Sequence, residues 1–542
     1  MQSFSPKRYA LLHSLYKRLS NTCAYAPSHQ LLVFPTLALI CIIIIPLPSS
    51  AAQNATRLLD CVQAALKHHV QIDFKQLDIE KAKGAYQEAA GEFDTRIQTQ
   101  ASHGQTQTPL TSADQQASHH HELQELESTY SLGLSKEFRT GLNLSPQIQT
   151  TRNEKHASPT VPASSSGVYL KATLPLLRGL GAKANAARET AAKLDIQNSK
   201  QDLQHTMSQV VRDVTTAYWQ YVSTYHQLQE HRKAEQRARK LFEQTKLLVE
   251  GGERPAAEMD EVRANLAEKE TTRIASEQDL LQSRQKLGLA MGVSFQRMRS
   301  LPPPADSFDI LQPSAAQLSK INESALLSYA VQNRSDLQAS RGREESAAAR
   351  EKHYQNQLLP RMDVGMKAGY QGMEEGSSYR TMAKAPYSNV PGASWQVSLT
   401  YEFPIANRQA RGRLSQQRVV KKRQMLSSRE LARTVRSNVH TTLSILQNAL
   451  QELQNARQTV RLYSQAVDNQ LMKYKMGMGT QIDVITTQEN LTQARLNQVN
   501  AQLKYAQALT DLRFQTSTLL SFVQDQARVS LDQLTRLPLS RD

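Results

Sequence analysis

Two proline-free stretches constrain this chain more than anything else in it. One runs from about Arg178 to Glu250 and the other over residues 405–476. At 1.5 Å of rise per residue, each is long enough for a helix of about 100 Å. In the second stretch Val439, Leu443, Leu446, Leu450, Leu453, Val460, Val467, Leu471 and Tyr474 keep alternating three- and four-residue steps, with Arg457 and Ser464 as polar interruptions. In the first, Val210, Val214, Ala217, Tyr221, Thr224 and Leu228 keep the same steps. That spacing is a coiled-coil seam, which buries one narrow stripe against a partner helix. The composition, 39% hydrophobic and 6% aromatic, suits long helices sharing seams better than one large globular core.

The surroundings of the two stretches repeat as well. Val168–Leu176 reads VYLKATLPL and Val397–Ile405 reads VSLTYEFPI, a strand-like run ending in proline before each long helix. Each long helix breaks at glycines, Gly251 and Gly252 or Gly477 and Gly479, and returns as a second helix over about 257–291 or 481–519. These return helices are half as long as their partners. The helices expected upstream, 56–92 and 322–357, must stack end-on to complete the wall. Alternation predicts strands over 96–102, 168–174, 362–370 and 394–403. It also predicts a hairpin, 129–138 with 141–150, turning at Arg139-Thr140-Gly141. Residues 103–125, 152–166 and 371–393 read as polar loops. The expected layout is two tandem structural repeats, 53–293 and 322–520, joined by a linker at 294–321 with Pro302-Pro303-Pro304. A polar tail, 521–542, follows.

Residues 1–52 read as a cleaved signal peptide. Lys7, Arg8, Lys17 and Arg18 precede the apolar run Leu31–Ile45, and small residues follow up to Ala51 and Ala52. The run is short for a spanning helix and contains Pro35. Any membrane-spanning part of the remainder must therefore be a closed β-barrel. Removing the leader removes Cys23 and Cys41, and leaves Cys61 as a small buried apolar residue without a disulfide partner. The net charge of +16 is densest in Arg411–Arg436, a run without interleaved aromatics or a base-reading motif. It reads as a solvated helix face, and nucleic acid is not an expected partner.

Catalytic constellations are missing from the sequence. It has no phosphate loop, no paired cysteines and no His-Glu-x-x-His, so neither enzyme activity nor a cofactor is expected. The contiguous His119-His120-His121 does not make a convincing metal site, because neighbouring residues point in different directions. The glycine turns carry more. Each places an acid six residues after a glycine, Glu258 after Gly252 and Asp483 after Gly477. An acid at that point favours the positive end of the next helix. In a symmetric assembly it would also form a carboxylate ring biasing a pore toward cations.

Together these features resemble the outer-membrane efflux protein family, the TolC-like ducts. The resemblance covers roughly 56–520 and rests on the tandem order, on Leu174-Pro175-Leu176-Leu177-Arg178-Gly179 and Phe403-Pro404-Ile405, and on the Gly-x5-Asp-Val turn at 477–484. It implies a mainly α fold with membrane β: long antiparallel coiled-coil helices forming a periplasmic α-barrel, and strands contributing to a trimeric outer-membrane β-barrel. It further implies a homotrimer in outer-membrane lipid, meeting a periplasmic adaptor (membrane fusion) protein and an inner-membrane pump or ABC exporter at the glycine turns. The function implied is passive transport through an exit duct of a tripartite efflux pump or type I secretion system. By position Tyr474 matches a gate tyrosine and Asp483 an entrance carboxylate. Gly479 stands where the family has a gate arginine, and Thr486 where it has a second aspartate, so the gating contacts are not carried over. The hairpin 129–150 is additional to the family's two strands per repeat, and Trp395, Tyr370, Tyr401 and Phe403 are candidate interface aromatics. A periplasmic or surface coiled-coil protein, structural or adhesive, is the alternative, and it would lack the strands.

Overall fold

The computed structural model describes residues 55–538 apart from 119–120, 157–160, 254, 312–314, 319–320, 377, 389–391, 477 and 524–525. The expected leader, His119, His120 and Gly477 lie outside the described residues. The chain enters through helices α1 (Leu58–His68) and α2 (Val70–Ala90). Four strands follow, β1 (Thr95–Pro109), β2 (Glu122–Glu137), β3 (Asn143–His156) and β4 (Ala163–Pro175). Next come the 64-residue helix α3 (Ala187–Glu250) and its return α4 (Ala257–Ala290). The pattern then recurs: α5 (Glu323–Asn333), α6 (Ser335–Asn356), β5 (Arg361–Glu375), β6 (Gly392–Glu402), the 68-residue α7 (Arg408–Lys475) and α8 (Gln481–Gln515).

The helices pack as four adjacent columns. Helices α2 and α4 lie on one flank of α3, α6 and α8 lie on its other flank, and α7 lies beyond them. The first and third columns are each two helices stacked end to end, because a return helix of 34 or 35 residues covers only half of its long partner. Neither upstream helix is continuous, contrary to expectation. The backbone turns extended at His69 (φ −80°, ψ 119°) and at Arg334 (φ −69°, ψ 119°). The returning helix arrives at each break. Gly292, in the left-handed region at φ +66°, follows α4 so closely that a Cβ would lie 2.8 Å from the His68 carbonyl. Ser517, at φ +58°, follows α8 and donates to the Asn333 carbonyl at 3.2 Å.

Most of the expected seam residues are buried, while Ala217, Val460, Leu471 and Tyr474 are half-buried. Val439, Leu443, Leu446, Leu450, Leu453 and Val467 on α7, and Val210, Val214, Tyr221, Thr224 and Leu228 on α3, are closed to solvent. Helix α3 is buried on more than its seam, however, since Val211, Tyr218, Trp219 and Val222 are inaccessible too. The reason is the segment expected to be a plain linker. Thr56 bridges to Pro304, Phe308 stacks on Trp219 at 5.3 Å between ring centroids, and Leu301 and Leu311 enter the same core. Asp306 Oδ2 accepts from the Leu58 amide and the Tyr218 hydroxyl, each at 2.7 Å. The tail is not loose either. After a short hairpin, Ser521–Val523 with Gln526–Arg528, it returns Leu534 and Leu537 to the core. The buried Arg513 guanidinium donates to the Thr518, Asp532 and Leu537 carbonyls at 3.1–3.3 Å, and burial pushes its pKa down to about 10. Cys61 is fully buried, as expected, and desolvation pushes its thiol up to about 12.

On α2 the apolar stripe Val70, Phe74 and Leu77 is more than half exposed, while Ile72 and Ile79 are buried. The basic run on α7 is not purely solvated, because Arg418 and Lys421 reach Glu351 of α6 at 3.5 and 2.9 Å.

The strands form one antiparallel sheet in chain order, β1-β2-β3-β4-β5-β6. They extend well past the expected bounds. Residues 103–109 continue β1, and a short helix, Ser112–Ser118, replaces part of the expected loop. Residues 152–156 and 163–166 belong to β3 and β4, and β5 runs on to Glu375 before a short helix at Tyr379–Lys384. Polar and charged residues dominate these extensions, so they carry no apolar alternation. Their order comes from fifteen continuous pairs between β1 and β2 and the ladders beyond. The additional hairpin is part of the sheet.

Candidate functional site

Chemistry concentrates at the two ends of the helical columns. At the far end from the sheet, Gly251 ends α3 with helical backbone and Gly252 follows at φ +74°. Helix α7 ends at Lys475, and Gly479 lies against its last turn, where a Cβ would stand 3.2 Å from Gln470 and 3.5 Å from the Tyr474 amide. Helix α8 then opens with a capping box: Thr480 Oγ1 accepts from the Asp483 amide at 3.2 Å, and Asp483 Oδ2 accepts from the Thr480 amide at 3.1 Å and hydroxyl at 2.7 Å. These bonds, the Thr480 hydroxyl's first, hold the exposed Asp483 carboxyl below its ordinary range.

The two turns are not equivalent in depth. Asp483 is exposed, whereas Glu258 in the first turn of α4 is half-buried and Asp260 is the exposed acid there. Tyr474 is half-buried in the last turn of α7. A bond that sequence reading missed ties the two hairpins together. Gln481 Nε2 donates to Thr245 Oγ1 at 2.8 Å, with both residues buried. Farther up, Arg237 reaches Thr492 at 2.8 Å, Arg495 reaches Glu230 at 3.2 Å and Gln227 reaches Asn500 at 2.8 Å. Apolar side chains also stand out at this end, Leu247, Met476, Met478 and Ile482 all being more than half exposed. A methionine-rich, unfilled surface of this kind adapts readily to a partner.

At the other end, the sheet sorts its side chains by face. Cross-strand pairs Ile97–Leu134, Leu132–Ile148, Ile148–Val168, Val168–Tyr370 and Met366–Val397 put apolar residues of all six strands on one surface. The opposite surface holds Gln98, Ser131, Gln149, Lys171, Lys367 and Ser398. On β2, Tyr130, Leu132 and Leu134 are exposed while the intervening Ser131, Gly133 and Ser135 are half-buried, as expected for a sheet curled toward its polar side. Trp395 is 81% exposed and Tyr401 61% on the apolar side. Among the described residues no helix is long and apolar enough to cross a membrane, and no group of acids, histidines or cysteines could hold a metal ion.

Comparison with known proteins accords with this division. Residues 326–516 match the outer membrane efflux protein family. No curated protein matches the chain. Among solved structures, the Campylobacter jejuni CmeC outer membrane channel superposes with a TM-score of 0.58 at 14% identity, covering 85% of each chain. The outer membrane protein VceC of Vibrio cholerae gives 0.59 at 15% identity, over 85% of this chain and 95% of its own. The Neisseria gonorrhoeae MtrE outer membrane channel gives 0.55 at 13% identity, over 85% and 88%. Residues 326–516 thus match the outer membrane efflux protein family, within a chain that has the TolC-like fold.

Proposed function

We propose that this chain is one of three identical subunits of an outer-membrane exit duct, a passive channel rather than an enzyme. The observation that carries the reading is the sheet: an apolar outer surface and a polar inner one, continuous with helices of 64 and 68 residues. That is the side-chain arrangement of a lipid-facing barrel, not of a soluble sheet. Open sheet edges and the exposed stripe Val70, Phe74 and Leu77 are surfaces that neighbouring subunits would cover. The helices would form the periplasmic part of the wall, with the signal peptide 1–52 removed on export. The turns at Gly251, Gly252, Gly477 and Gly479 would form the periplasmic entrance. Energy would come from an inner-membrane pump or ABC exporter, linked through a periplasmic adaptor docking at the entrance, where Leu247, Met476, Met478 and Ile482 offer an apolar surface. A coiled-coil structural or adhesive role is disfavoured by the apolar sheet face, which such a protein would have to leave in water.

The test is direct. Detergent-solubilised protein should have the mass of three chains and should open ion-conducting pores in a planar bilayer. A monomer stable without detergent would refute the proposal. The entrance assignment has its own check. Asp483→Asn keeps an oxygen to accept from Thr480 and so preserves the cap, but removes the charge. Cation preference should fall with trimer mass unchanged, and an unaltered reversal potential in a salt gradient would remove Asp483 from the entrance.

A further inference from the structure

The hairpin β2–β3 bears on how wide the duct is. It is built into the sheet between β1 and β4, and its Leu132 and Ile148 continue the apolar surface from Ile97 to Val168. The sheet therefore ends at β1 and β6, and both ends are unprotected. Strand β6 has no lysine or proline, and its only charge is the terminal Glu402. Strand β1 carries Arg96 near its start and Pro109 at its end. Exposed edges in soluble proteins are usually blunted by charge, proline or a bulge, so edges this plain are paired in the working molecule. The direction of the strands selects the partner. With six antiparallel strands, β6 of one copy runs opposite to β1 of the next, so the sheet continues from chain to chain without a change of pattern.

Dimensions agree with this. A strand spacing of about 4.8 Å at a tilt of about 40° takes about 6.3 Å of circumference per strand, hence about 38 Å for the sheet of one chain. Four helix columns at about 9–10 Å apart occupy about 36–40 Å. Sheet and helical wall therefore have equal arcs. Without the hairpin the sheet would cover only about 25 Å and would have to pinch inward.

Resting on the subunit reading above, we infer that three sheets of six strands join β6 to β1 into one 18-stranded barrel as wide as the helical duct below it. Its backbone diameter is about 36 Å, against about 24 Å for a barrel of the same three chains lacking the hairpin. Allowing about 5 Å of side chain on each wall leaves a bore of about 26 Å rather than about 14 Å. The outer-membrane segment is then not the narrow point, and what reaches the helical lumen can leave. The partner recognised at each edge is a second copy of this chain.

Cysteine chemistry in a Cys61→Ala background tests this. Ser398→Cys on the polar side of β6, paired in turn with single cysteines at alternate positions from Arg96 to Gly104 on β1, should oxidise at one register to a covalent trimer on a denaturing gel. Covalent dimers from Ser398→Cys alone would mean β6 meets β6, and would overturn the proposal. In lipid, Gln149→Cys should react with a membrane-impermeant thiol reagent while Ile148→Cys stays protected. Equal reaction of both would put the hairpin outside the wall and overturn the strand number. Deleting residues 122–156 keeps strand parity. It should lower the size limit for uncharged polymers entering from the extracellular side nearly twofold, and an unchanged limit would contradict the inference. Trimer mass in detergent, measured alongside, tells a failed strand count from a failed subunit reading.

Discussion

Replacing Val397 with arginine tests the sidedness of the sheet most sharply. Val397 is the middle member of the run Ala393, Trp395, Val397, Leu399, Tyr401 on β6 and is 57% exposed on the apolar surface. Eight residue steps at about 3.3 Å, inclined by about 40°, span about 20 Å along the membrane normal, close to the ~25 Å apolar band of such barrels. In the proposed barrel Val397 would sit near the bilayer middle. Arginine there costs about 2–4 kcal/mol per copy, or about 6–12 kcal/mol for three copies. Even the lower figure for one copy changes the folded-to-unfolded ratio about 30-fold. Ser398, the next residue, lies on the polar surface above Gly365, and arginine there should cost less than about 1 kcal/mol. The assay is denaturant titration of protein folded into lipid vesicles, followed by heat-modifiable gel migration. Val397→Arg should lower the midpoint strongly and Ser398→Arg barely. Equal damage from both, or a neutral Val397→Arg, would refute the assignment of lipid and lumen faces.

Two further outcomes follow from the helical part. Asp306→Ala leaves the buried Leu58 amide without its acceptor and loosens Tyr218. It should cost about 1–3 kcal/mol by thermal unfolding and expose the 300–311 strap to protease, and an unchanged melt would deny the strap a structural role. His205, His226 and His231 of α3 all have pKa values lowered by burial first, though Asp336 near His205 and Asp309 and Glu230 near His226 pull upward. A depressed folded pKa means the unfolded chain binds the extra protons, so stability is full above the ordinary value near 6.5 and declines as pH falls through it. The denaturation midpoint should therefore drop between pH 8 and pH 5.5, and less so in His226→Gln/His231→Gln. A midpoint that is flat or rises on acidification would show that these rings are solvated.

Much of the helical architecture is legible in the sequence because it is local. A seam such as Val439 to Leu453 is a periodicity within one helix, and glycines 251 and 252 or 479 with Thr480 and Asp483 mark helix ends by their own backbone and capping chemistry. The sheet was legible only where apolar and polar residues alternate, as at Tyr130–Leu134 and Trp395–Tyr401. The Gln- and Thr-rich residues 103–109 become strand because a partner 13 to 25 positions away supplies their hydrogen bonds, and nothing local announces it.

Three matters belonged to the tertiary structure. Val70, Phe74 and Leu77 are as apolar as the seam residues yet face outward, because α3 takes the Ile72–Ile79 side of α2 and one chain cannot cover both. Buried anchors convert the linker and the tail into core: Asp306 on Tyr218, and Arg513 on the carbonyls around Leu537. The hairpin joined the sheet because pairing is decided between strands, by edges and parity that no single segment contains. Sequence periodicity determined which residues could share a face. Only the packing of all four helix columns and six strands decided which faces the chain covers itself and which it leaves for its neighbours, since burial depends on what lies opposite a side chain.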